Sequence, residues 1–124
     1  MRLARIDHVA LVVGDVDRSV RWYGEVLGLR RTYAEVWSDP QDPVFLAHGP
    51  VGVALLRPRG DAGPGHPRQH FAVATDEPGF REARERLAAL GIAAEEQDHT
   101  VCRSLYFRDP DGHLIELVTY PTQG

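Results

Sequence analysis

The chain contains no lysine, so all 14 of its basic residues are arginine. That absence excludes catalysis through a lysine Schiff base and the phosphate-binding lysine of a P-loop. Cysteine is almost missing as well. The single thiol, Cys102, cannot form an internal disulfide and reads as a small buried strand residue. Long apolar runs are absent: the longest, 9-VALVV-13, falls far short of the roughly 20 residues that cross a bilayer, and MRLARIDH has no signal-peptide core. A cytoplasmic protein with no membrane partner is therefore expected. Positive charge is not in excess either. With a net charge of -4 and a pI near 5.8, no electrostatic footprint for nucleic acid is expected.

What is present suits a soluble globular chain. Its 124 residues are 43% hydrophobic and 26% charged, enough for a core without covalent staples. The organisation is a repeat. Shifting the second half by 62 residues lays His70 on His8, Ala72 on Ala10, Phe107 on Phe45 and 115-IELV-118 on 53-VALL-56. Each half begins with an alternating strand, 6-IDHVALVV-13 or 68-RQHFAVAT-75, and continues into a helical pattern. Val16, Val20, Tyr23 and Leu27 carry the first helix; Phe80, Ala83, Leu87 and Leu90 carry the second. Asp15 or Asp17 can cap the first, and Thr75 or Asp76 the second, while Gly28 and Gly91 are placed to stop them. Each half thus reads strand, helix, strand, strand, strand.

The expected fold is α+β: two βαβββ modules, with helices covering one face of the sheet and the other face curving around a cavity or packing against something. Module 1 spans about 1–57 and module 2 about 68–124, with the Pro- and Gly-rich 58–67 as connector. Within module 1, 38-SDPQDP-43 reads as a loop. A half of about sixty residues is marginal alone, so the copies are expected to share a core.

The stretch 110-PDGHLIELVTY-120 places a carboxylate, Glu116, in an apolar strand pattern, opposite in parity to Ile115 and Leu117. A water-facing residue would look the same. The repeat changes the weighting, because Glu116 corresponds to Ala54, while His70 is matched by His8. His8, His70 and Glu116 would supply three metal-capable side chains from three strands. Two histidines and one carboxylate leave coordination positions open, an arrangement suited to Fe(II) or Mn(II), with Zn(II) or Ni(II) as other divalent candidates.

These segments resemble the vicinal oxygen chelate superfamily, which includes glyoxalase I, bleomycin-resistance proteins, fosfomycin-resistance enzymes and extradiol dioxygenases. The resemblance rests on 6-IDHVALVVGDVDRSVRWYGEVLGL-29, 70-HFAVAT-75 and 105-LYFRDPDGHLIEL-117. It implies two paired βαβββ modules forming a curved mixed sheet around a metal-containing cavity, metal ligands at His8, His70 and Glu116, a small-molecule substrate and a homodimer. Glyoxalase I and the epimerases usually carry a fourth ligand at the position of Ala54, which disfavours their chemistry here. Fosfomycin enzymes usually add cations near the last strands, where this chain offers Glu95, Glu96 and, as a possible cation, Arg103.

The pattern 99-HTVCRSLYFRDPDGHLIE-116 is similar to the extradiol dioxygenase signature, with a histidine seven residues before the tyrosine and seventeen before the carboxylate. Gln97 departs from it, and the typical ring-cleaving enzyme is twice as long. The resemblance implies catalytic roles for His99 and Tyr106 in proton transfer. Ser104 shares parity with Tyr106 and could complete a polar wall, and Trp37 could line a pocket for a flat substrate. Substrate contacts are thus expected from Arg103, Ser104 and Trp37. His66 and His113 read as loop and exposed turn residues, outside the site. The expected function is a divalent-metal-dependent, dioxygenase-like enzyme that chelates adjacent substrate oxygens. The alternatives are a metal-free antibiotic-sequestering protein and a lyase or transferase of the glyoxalase or fosfomycin type.

Overall fold

Ten elements alternate in two identical series along the chain. The first is β1 (Val9–Val12), α1 (Val16–Leu27), β2 (Arg30–Thr32), β3 (Val44–His48) and β4 (Val51–Leu56). The second is β5 (His70–Ala74), α2 (Glu77–Ala89), β6 (Glu95–Asp98), β7 (Arg103–Arg108) and β8 (Leu114–Thr119). The structure is a computed structural model and describes residues 1–121. The chain divides into two compact units, Met1–Pro64 and Gly65–Gly124. None of the described helices is long and apolar enough to cross a membrane.

In the first unit the strands run in the order β1-β4-β3-β2, with β1 parallel to β4 and the other pairs antiparallel. Strand parity separates two faces. Leu11, Val13, Leu46, Val53 and Leu55 are buried with Val16, Tyr23 and Val26 of α1, the core of this unit. Burying a side chain of this class contributes about 1.5–3 kcal/mol over leaving it exposed. The helix starts where the Asp15 carboxylate accepts from the Arg18 amide at 3.0 Å, and stops at Gly28, whose φ of 69° is left-handed.

The second unit repeats the plan as β5-β8-β7-β6, again with its first and last strands parallel. Phe80 and Leu87 of α2 bury against Leu105, Phe107, Ile115 and Leu117. Asp76 caps this helix through the Gly79 amide at 2.8 Å. Both modules therefore form as the periodicity predicts, each with its own mixed four-stranded sheet.

One pairing drawn from the constant offset needs correction. Phe45 opposes Ala54 in the β3–β4 ladder, whereas Glu116 is opposed by Tyr106, not Phe107. The structural counterpart of Phe45 is thus Tyr106. The cause is turn length: β3 and β4 are joined through Gly49 and Pro50, but β7 and β8 through the five residues 109–113. One slipped residue turns Phe107 to the helix-covered face and Tyr106 to the opposite one.

Candidate functional site

The face of the second sheet turned away from α2 carries the polar residues. Cross-strand partners point the same way, so His70 and Leu114, Ala72 and Glu116, Tyr106 and Glu116, and Ser104 and Val118 share this face. His70 is the first residue of β5, and Glu116 lies at the centre of β8 with its side chain 12% exposed. Their approach is close: His70 Nε2 stands 3.1 Å from Glu116 Oε1. The other ring nitrogen, Nδ1, is 2.9 Å from the carbonyl oxygen of Arg68.

Both partners of the imidazole are acceptors. A neutral imidazole carries one N–H and can donate to only one of them. If Nδ1–H serves the Arg68 carbonyl, the Nε2 lone pair and Oε1 face each other, and a cation between them resolves the conflict. Two ligands at about 2.0–2.2 Å from one ion, at right angles to each other, stand about 3 Å apart. The observed spacing fits. The Arg68 carbonyl also fixes the ring orientation, the usual role of a group behind a metal-bound histidine.

Glu116 is held from its other oxygen. Ser104, fully buried on β7, donates its hydroxyl to Oε2 at 2.6 Å. Beyond it, the Tyr106 hydroxyl and His99 Nε2 are 3.1 Å apart. Burial, with a smaller contribution from the Glu116 charge, pushes the Tyr106 phenol above its ordinary pKa of 10.0. It therefore carries its proton at neutral pH. His99 sits in a short turn before β7, where its amide donates to the Cys102 carbonyl at 2.8 Å. The neighbouring Thr100 takes a φ of 71°, a left-handed conformation that a β-branched residue rarely adopts.

His8 belongs to the first unit and lies just before β1, not within the strand. Its Nδ1 is 2.9 Å from Asp7 Oδ2, and hydrogen bonding to His8, set against some desolvation and aided by Arg5, lowers the pKa of the exposed Asp7. The imidazole meets Phe45 edge-on, with ring centroids 4.7 Å apart. It can lie there because residue 52 is glycine: a Cβ at Gly52 would come within 2.8 Å of the Asp7 carbonyl oxygen and 3.2 Å of His8 Cβ. Trp37 stands 5.3 Å from Phe45 and 5.5 Å from Tyr33, forming an aromatic wall beside His8 in a hollow of about 420 Å³. Tyr33 takes a φ of 61°, so this wall rests on a backbone conformation that costs energy for a non-glycine residue.

The second unit alone thus brings together His70, Glu116, Ser104, Tyr106 and His99. No group of three His, Cys, Asp or Glu side chains poised around a metal occurs among the described residues of either unit. Arg103 does not join the cluster. Opposite in parity to Ser104, it lies over the Phe80 ring at 4.9 Å and pairs with Glu77 and Glu96. His66 accepts from the Arg68 amide at 3.1 Å, ordering the connector ahead of His70. His113 is not exposed, contrary to expectation: it is 9% exposed and its amide donates to Asp109 Oδ1 at 2.9 Å, which folds the β7–β8 turn. Sequence reasoning missed Asp7, Gly52, Tyr33 and Phe45. For Phe45 the signal was its cross-strand position, hidden by the shifted register.

Residues 5–117 match the family model described as the Glyoxalase/Bleomycin resistance protein/Dioxygenase superfamily. The chain is 32% identical over 120 residues to the glutathione transferase FosA of Serratia marcescens, an alignment covering 93% of this chain and 80% of that protein. It is 30% identical over 118 residues to the catechol-2,3-dioxygenase of Bacillus subtilis, covering 90% of this chain but 40% of the relative. Among solved structures, a glutamate-to-glutamine variant of the fosfomycin resistance protein FosX from Listeria monocytogenes, complexed with Mn(II) and dihydroxypropylphosphonic acid, superposes with a TM-score of 0.80. That alignment has 21% identity and covers 98% of this chain and 96% of the other, a likeness of fold.

Proposed function

The chain belongs to the Glyoxalase/Bleomycin resistance protein/Dioxygenase superfamily, and on that premise we propose that it is a divalent-metal-dependent enzyme acting on a small substrate with adjacent oxygens. His70 and Glu116 hold the ion and His8 completes the set, in a homodimer. The observation that carries this reading is the 3.1 Å approach of His70 to Glu116, with an acceptor already behind the imidazole. Fe(II) or Mn(II) is the favoured ion. When bound, such an ion supplies Lewis acidity and open positions for two substrate oxygens.

The protein's own groups then handle protons and orientation. Ser104 fixes Glu116 through Oε2 and leaves Oε1 turned toward His70, where the ion would be shared between them. Tyr106 keeps its phenolic proton because its pKa is raised, and can pass it to an oxygen that gains negative charge. His99, hydrogen-bonded to that hydroxyl, can return the proton. This Tyr–His pair supports oxygen-dependent, dioxygenase-like cleavage as the reaction subtype. The aromatic wall of Trp37, Tyr33 and Phe45 supplies an apolar contact for a flat substrate body.

A second reading, thiol transfer to or hydration of fosfomycin, is favoured by one observation: the FosA relative matches over 80% of its own length, against 40% for the catechol dioxygenase. The test begins with Mn(II) and Fe(II) loading of wild-type protein, His8→Ala and Glu116→Ala. Loading lost in both variants supports the ligand set, and unchanged loading in both rejects it. Oxygen uptake by the Fe(II) protein with a catechol panel supports the dioxygenase. Consumption of fosfomycin with glutathione or water, without oxygen uptake, selects the second reading. Ligand binding by a protein that takes up no metal selects a sequestering role.

A further inference from the structure

Beside His70 and Tyr106 the second unit contains a cavity of about 690 Å³. We propose that it is a carboxylate subsite, in which Arg68 and Arg108 bind the anionic group of a small organic acid. This rests on reading the same face as the substrate side, and it narrows the substrate class.

The argument is one of unpaired charge. Arg108 donates from Nη1 to the Gly112 carbonyl at 2.8 Å and from Nη2 to the Pro67 carbonyl at 3.1 Å. Both acceptors are neutral. They hold the guanidinium in place without cancelling its charge, and leave other N–H groups of its five to donate. Arg68 is fixed through its backbone, its amide bonded to His66 Nδ1 and its carbonyl to His70 Nδ1. Its guanidinium has no partner among the described residues. Of the other arginines of the same unit, Arg84, Arg86 and Arg103 each pair with a carboxylate, while Arg81, on α2, forms no ion pair among the described residues and does not line this cavity.

Both unpaired arginines line the cavity, together with one carboxylate, Glu95. Glu95 accepts from Gln97 Nε2 at 3.2 Å and forms no ion pair among the described residues. Two guanidinium groups against one carboxylate leave the cavity cationic. Ile92, Ala93 and Leu114 line the rest, an apolar surface for the body of the ligand. Because the Arg68 carbonyl orients His70, the anion subsite and the candidate metal ligand are two residues apart on one strand entry. A substrate spanning both would carry a carboxylate at one end and its adjacent oxygens at the other.

The test uses the full chain, free of metal, with benzoate as probe and benzamide as its neutral counterpart, followed by NMR of backbone and arginine side-chain N–H groups. Saturable benzoate binding below about 10 mM is expected, with shifts at Arg68, Ala93 and Arg108, and at least about tenfold weaker benzamide binding. Arg68→Gln, which removes no contact the fold uses, should weaken benzoate about tenfold, and Glu95→Gln should tighten it. Equal affinity for the two probes, no saturable benzoate binding, or unchanged affinity in both Arg68→Gln and Arg108→Lys would overturn the assignment. Since the assay contains no metal, its failure is separate from a failure of the ligand set, which metal loading reads.

Discussion

Ser104 donates its hydroxyl to Glu116 Oε2 at 2.6 Å, the oxygen that His70 does not approach. A carboxylate held through one oxygen presents the other in a fixed direction. Ser104→Ala removes that hold while keeping the sheet intact. Mn(II) affinity, measured by calorimetric titration, should fall about 10- to 100-fold, the usual effect of losing a group behind a metal ligand. An unchanged affinity would mean that Glu116 needs no orientation.

Tyr106→Phe keeps the ring and removes the proton. Turnover in whichever assay succeeds should fall about 100-fold or more, with little change in substrate affinity, because the lost step lies in proton transfer. His99→Ala should be milder, since it removes the partner and spares the donor.

The Tyr106 phenol titrates above its ordinary 10.0 because of burial first and the Glu116 charge second. Between the unfolded and folded values, the folded protein binds the proton more tightly than the unfolded chain. The associated stability is complete below about pH 10 and is lost as pH rises through the folded value. Glu116→Gln removes the second cause and should bring the titration back toward 10. The phenolate absorbance of wild type minus Tyr106→Phe, in metal-free protein, reads this directly; identical titrations with and without Glu116 would refute the coupling.

Gly52→Ala places a Cβ 2.8 Å from the Asp7 carbonyl oxygen. Because the obstacle is backbone, the segment carrying His8 must move away from β4. A loss of about 1–3 kcal/mol is expected in chemical denaturation, with weakened metal uptake. Wild-type stability and loading would show that residues 7 and 8 adjust freely.

Arg103→Met should separate fold from site. The side chain lies over Phe80 and pairs with Glu77 and Glu96 at partly exposed positions, so chemical denaturation should show only a small loss of stability. Metal affinity should stay at the wild-type value, because Arg103 faces α2. A loss of metal binding without a loss of stability would return it to the site.

The sequence alone determined the duplicated strand–helix plan, because hydrophobic periodicity, the cap candidates at 15 or 17 and at 75 or 76, and the stops at Gly28 and Gly91 are local signals that neighbouring residues enforce. It also put Ser104 and Tyr106 on one face of their strand, and Glu116 opposite Ile115 and Leu117, because strand parity runs unbroken within a single strand. Tertiary structure decided what parity cannot carry across a turn. The two-residue Gly49–Pro50 connection against the five-residue 109–113 turn set Phe45 in the place of Tyr106. Ladder registers also brought Nε2 of His70 to Glu116, and the packing of α2 drew Arg103 away from them. Registers and side-chain pairings join residues tens of positions apart, and no local pattern of apolar and polar residues encodes such distances.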